Sequence, residues 1–277
     1  RRCHGRPRGG LGVGVVSGRT RPSPWWRRRA GGGARVTGNP PSANGASSFH
    51  LRWDLHDEAV AAEVTLEVLE GPTVDRLYFW ALQTDFGDER GRRAGGAHLG
   101  LQWYRLHPGS TAVNWGGYGP SGRELAGTTS ALPSAPGNVN PRDFAWRPRT
   151  PYRLAVRLVG SGGAAGPSWR GAVTGPDGRT TVVRDLAAAG DRITGVTMWS
   201  EVFARCDHPS VAVRWSEPRA TTIDGRHVRP DRVVVSYQSR ADGGCANTDS
   251  SVDEVGLVQR TAVPRVTAPG ARLAVPV

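Results

Sequence analysis

An all-β chain built as an antiparallel two-sheet sandwich is what this sequence predicts, and three observations predict it. From residue 49 onward apolar residues recur with period two: Val60, Ala62, Val64, Leu66 and Val68 alternate with Glu63, Thr65 and Glu67, which is how a half-buried strand presents its two faces. Each such run is bounded by Gly, Pro, Asn or Asp, the residues that turn a chain. No run carries helical periodicity for more than two turns, residues 185–190 being the only helix-like patch.

Taken in order, the first 46 residues hold 11 Gly and five Pro, with ten Arg and no acid up to residue 50. Nothing in this stretch alternates in a way that offsets the entropy of ordering it, so residues 1–46 are expected to be a disordered head. Arg-rich tails attract phosphate without sequence preference, and Trp25 and Trp26 beside Arg27 to Arg29 add stacking; a leader or a wrongly extended start is the plainer reading. The whole chain of 277 residues carries a formal charge of +12 from 36 Arg and 24 acids. With the head set aside the remainder is close to neutral, so nucleic acid is not the expected partner of the folded part. No apolar run approaches the roughly 20 residues of a membrane span.

Strands are expected at residues 60–68, 76–84, 97–105, 152–159 and 232–239, and a hairpin is expected where 169–174 and 180–184 flank Gly175, Pro176, Asp177 and Gly178. Two packed sheets of five to seven strands would absorb residues 47–263 as one domain, leaving 264–277 as a tail. Cys206 and Cys245 are the only cysteines past residue 50 and are expected to form a disulfide, which places the protein outside the cytosol, secreted or in the cell envelope.

The runs YFWALQ (78–83), GGAHLGLQ (95–102), NWGGYG (114–119) and MWSEVF (198–203) resemble those of an uncharacterised family of bacterial secreted domains with an aromatic strand, a GG-x-x-GLQ strand and a W-[ST]-E strand. The resemblance spans about residues 50–260. It implies a concanavalin-like jelly roll, the architecture of lectins, carbohydrate-binding modules and some polysaccharide-cleaving enzymes.

On that frame the expected function is non-catalytic binding of a glycan or polysaccharide. Flat rings stack on sugar faces, and Trp115 and Tyr118 among glycines, with Trp146 at a strand end, are the expected platform. Gln102 and Tyr104 join them, because His98, Gln102 and Tyr104 alternate along one strand and share a face. Two enzymatic alternatives compete. Glu201, between Trp199 and Phe203, is the candidate acid of a glycoside hydrolase, although no second carboxylate sits at i+2 or i+4. His98 is the candidate base of a polysaccharide lyase, with Gln83 and Gln102 near it. A structural or protein-interaction domain of the envelope is the third class. No cofactor is expected beyond Ca²⁺, for which Asp242, Asn247, Asp249 and Asp253 supply hard oxygen ligands at a spacing unlike the EF-hand loop.

Overall fold

A computed structural model describes residue 42 and residues 45–160 and 166–277; the expected head therefore lies almost wholly outside the described residues. Sixteen strands follow one another among the described residues. They are β1 (Ser47–Trp53), β2 (Ala59–Glu70), β3 (Tyr78–Gly87), β4 (Arg93–Trp103), β5 (Thr111–Tyr118), β6 (Pro141–Asp143), β7 (Pro151–Gly160) and β8 (Ser168–Thr174). The second half continues with β9 (Thr180–Ala187), β10 (Arg192–Val202), β11 (Ala212–Thr222), β12 (His227–Val228), β13 (Arg232–Tyr237), β14 (Thr248–Val252), β15 (Leu257–Thr261) and β16 (Arg272–Ala274). Three short 3-10 turns are the only helical pieces among the described residues.

All pairings are antiparallel, and they sort into two layers. The first runs β6-β5-β4-β3-β10-β1-β13-β16. The second runs β9-β8-β7-β2-β11-β15-β14, with β12 on β11. Among the described residues the strand pair Ile193 with Ala59 links them. The all-β expectation is thus met. Residues 185–190 are not helical: Leu186 belongs to β9 and is buried, because a strand edge facing the opposite layer needs an apolar side chain more than it needs Ala and Leu helix propensity. The last fourteen residues also contribute a strand, β16 on β13.

The alternation seen in the letters fixes which face points inward. Trp80, Leu82, Leu99, Leu101, Met198 and Leu51 from the first layer meet Val64, Leu66, Leu154, Trp169 and Trp215 from the second in one continuous core. Gln259 ties the layers together inside that core. Its Oε1 accepts from Ser200 Oγ (2.9 Å) and Trp215 Nε1 (3.0 Å), and its Nε2 donates to the Phe49 carbonyl (2.9 Å). Both polar atoms of its amide find partners, the condition under which burying one is tolerable. Cys206 and Cys245 are bridged (Cα–Cα 5.5 Å), as expected, and the bridge pins the loop after β10 to the segment before β14.

Candidate functional site

The outward residues of the first layer form the site. Register across β1, β10, β3, β4 and β5 places His50, Trp199, Ala81, Gly100 and Asn114 in one row. One row on lie Arg52, Thr197, Gln83, His98 and Gly116, and on the other side Ser48, Glu201, Phe79, Gln102 and Ala112. Phe79, Ala81 and Trp199 make a small apolar cluster separate from the main core, buried although they face away from it. His98 meets the edges of both rings, 5.5 Å from Phe79 and 5.8 Å from Trp199 between centroids.

Burial holds the imidazoles of His50 and His98 down to about 4, while both rings keep some solvent contact. Desolvation keeps both rings neutral at neutral pH. The Tyr118 hydroxyl is pushed up to about 12, first by burial and then by the carboxylates of Glu124 and Glu201. That phenol keeps its proton and shares a neighbourhood with both acids. Trp199 Nε1 is buried without a hydrogen-bond partner, two residues from Glu201 on the same face of β10, and Asn114 Oδ1 is also unpartnered in the same row.

Glycines let neighbouring chain approach closely on this face. A Cβ on Gly100 would lie 2.0 Å from the Trp80 carbonyl oxygen, and one on Gly116 2.7 Å from Asn140 Cγ. At the lower end Asp85 lies between Gly96 and Gly195, whose absent side chains make room for its carboxylate. Burial raises the Asp85 carboxyl, against the Gln83 amide bond to Oδ1 (3.3 Å) and the charges of Arg93 and Arg52.

Of the residues expected to act, His98, Glu201, Gln83 and Tyr118 come together here. Others do not. Trp115 is wholly buried inside the sandwich, its Nε1 donating to the Trp169 carbonyl (3.3 Å), because NWGGYG is not a loop but most of β5. Trp146 is buried against Trp80 (5.8 Å, edge to face) and donates to the Gln102 carbonyl (3.0 Å). Gln102 is buried with its Oε1 3.2 Å from His107 Nε2. Tyr104 falls past the end of β4 and packs its ring on His107 (5.7 Å), so it does not continue the face of His98.

The four oxygen ligands expected for Ca²⁺ do not converge. Asp242 accepts from Ser239 (2.7 Å), Asn247 Nδ2 donates to the Cys206 carbonyl (2.7 Å), Asp249 accepts from Thr267 N (2.9 Å), and Asp253 pairs with Arg214 (2.8 Å). Among the described residues no group of three or more His, Cys, Asp or Glu is placed to hold a metal. Asp85, Glu124 and the Trp199 indole were not legible as site residues. Only the register across three strands and a returning loop assembles them.

A hollow of about 670 Å³ lies on the outer face of the other layer over Ala61, Ala155 and Ala172. Two of its three arginines, Arg219 and Arg153, are paired with Glu63 (3.3 Å) and Glu217 (3.6 Å) respectively. Among the described residues no helix is long and apolar enough to cross a membrane.

No protein-family model matches the sequence, and no curated protein is similar to it. Similar solved structures include scytalido-glutamic peptidase with a peptide-based transition-state analogue, at TM-score 0.45 and 12% identity over 78% of this chain and 98% of that one. The same peptidase with a transition-state analogue inhibitor gives 0.47 and 13% over 78% and 98%. A third is SCP-B, a member of the eqolisin family of peptidases in complex with the tripeptide Ala-Ile-His, at 0.44 and 13% over 79% and 98%. Values this low transfer no residue role and no activity. The expectation of a non-catalytic, lectin-like carbohydrate binder is corrected on the geometry of its platform: Trp115 and Trp146 are interior residues and Gln102 is buried beside His107, so none has a face to offer a sugar.

Proposed function

We propose that the chain hydrolyses an acyl bond, of the peptide type, in an extended chain laid across the outer face of β10, β3, β4 and β5. The observation that carries this reading is the Trp199 indole N–H, buried and without a partner, two residues from Glu201 on one face of one strand. Acyl hydrolysis needs a base to activate water and a donor aimed at the oxygen that becomes negative. Glu201 takes the first role, and Trp199 Nε1 with the protonated Tyr118 hydroxyl takes the second. Neutral His50 and His98 add no competing cation to this face. Asn114 Oδ1 is an acceptor suited to a substrate N–H. Glycosidic cleavage would ask instead for two facing carboxylates and no oxyanion donor.

The test is a fluorogenic peptide library, assayed with the purified protein from pH 3 to pH 8, beside glycan and ester panels. Peptide cleavage is expected, with Glu201→Gln lowering kcat at least 100-fold and Trp199→Phe lowering it roughly 10²-fold with little change in KM, the size of losing one oxyanion donor. Full activity in Glu201→Gln, or turnover of glycans alone, overturns the proposal. The disulfide supports a further part of this reading, that the protein works in an oxidising compartment such as the cell exterior.

A further inference from the structure

Two arginines enter the sandwich from facing layers at one edge. Arg142 lies on β6, opposite the inward residue Val113, and Arg184 lies on β9. Their side chains are nearly lost to solvent, at 8% and 5% exposure.

Neither has an acidic partner among the described residues. Arg184 donates from Nε to the Trp115 carbonyl (3.1 Å) and from Nη2 to Asn140 Oδ1. Arg142 donates from Nη1 to Ser134 Oγ (2.8 Å) and to the Leu132 carbonyl (3.3 Å), and its Nε is buried with no partner. All four acceptors are neutral.

The nearby acids do not close the account. Asp185 is held by Arg170 on both oxygens (2.8 and 2.9 Å), and Asp143 takes the register of the outward residue Ala112. Glu124 reaches the pair only through Asn140, whose Nδ2 donates to its Oε1 (3.3 Å). Burial and the charge of Arg142 lower the proton affinity of Arg184, with Glu124 acting the other way, as mutual proximity of two buried cations requires. Two guanidiniums against one relayed carboxylate leave one positive charge in a dry edge, a condition that proteins relieve by pairing.

We infer that this edge binds a small monovalent anion, of chloride size, between Arg142 Nε and the Arg184 guanidinium. The surplus of a single charge sets the valence. Burial sets the size: the two arginines are only 8% and 5% exposed, and Gly127 closes over Arg184 so that a Cβ there would stand 2.7 Å from Nη1. The same loop carries Glu124 to Tyr118, through the bridge of these two residues, so the anion also fixes the approach of Glu124. The inference stands on the arginines and does not depend on what the outer face does.

Crystals of the full chain grown in sodium bromide test it directly. An anomalous bromide peak within hydrogen-bond reach of Arg142 Nε and the Arg184 guanidinium is expected. In solution, replacing gluconate by chloride at constant ionic strength is expected to raise Tm saturably. Arg142→Gln, the milder variant, should weaken the half-saturating chloride concentration at least tenfold, and Arg184→Met should abolish the chloride response. Absence of the bromide peak, or a wild-type Tm equal in chloride and gluconate, overturns the inference even if neither variant folds.

Discussion

The same residue type does opposite jobs on this chain, and its neighbours decide which. Trp115 and Trp199 both sit in strands beside short side chains. Trp115 faces the opposite layer, where Gly171 makes room for its ring: a Cβ there would lie 2.6 Å from the indole. Trp199 faces outward and keeps an unpartnered N–H. Trp115→Ala is therefore expected to destabilise the fold by about 3–5 kcal/mol in urea titrations, the range for emptying a packed aromatic site. Were Trp115 a ligand platform, the same variant would leave the midpoint unmoved. Glycine explains the misreading of NWGGYG as a loop. Gly116 and Gly117 are required inside β5 by close approach to Asn140 and to the Gly96 carbonyl, and in the letters that use of glycine is identical to a turn.

Within one strand, alternation was readable and orientation was not. The run MWSEVF has the period of β10, but only pairing with β1 and β3 tells that Met198, Ser200 and Val202 point in while Trp199 and Glu201 point out. A slip of one residue would exchange the two sets. The inward Ser200 is tolerable because Gln259 on β15 meets it. Gln259→Leu removes the acceptor of both Ser200 Oγ and Trp215 Nε1 and the donor to the Phe49 carbonyl. The expected loss is roughly 3 kcal/mol, since each orphaned buried group costs about 1–3 kcal/mol. Thermal or chemical denaturation measures it, and a neutral result would mean that water replaces the amide.

Across the whole molecule, two features set stability. Burial holds the imidazoles of His50, His98 and His107 at about 4, below the unfolded value of 6.5. Between those values the unfolded chain binds protons that the folded one refuses, so stability is full above about pH 6.5 and falls as pH drops towards 4. Urea midpoints at pH 7, 5.5 and 4 should decline in that order, and His98→Phe should make the decline shallower. The disulfide is the second feature. Closing a loop of about 40 residues constrains the unfolded chain by on the order of 4 kcal/mol. The double variant Cys206→Ala, Cys245→Ala should lose that amount in denaturation at neutral pH, and reduction of the native protein should lower Tm likewise.

The sequence by itself determined that this is a β-sandwich, because period-two alternation and turn residues are local properties written in neighbouring letters. It also determined the disulfide, since Cys206 and Cys245 are the only cysteines in the folded part. Only the tertiary structure decided which aromatics face the core, that Trp199 and Glu201 point outward on one face, that Glu201 and Glu124 both act on the Tyr118 hydroxyl, and that Arg142 and Arg184 meet at an edge. The physical reason is distance along the chain. Those groups come from strands and loops tens of residues apart, and nothing but strand register and the facing of two layers brings them within reach.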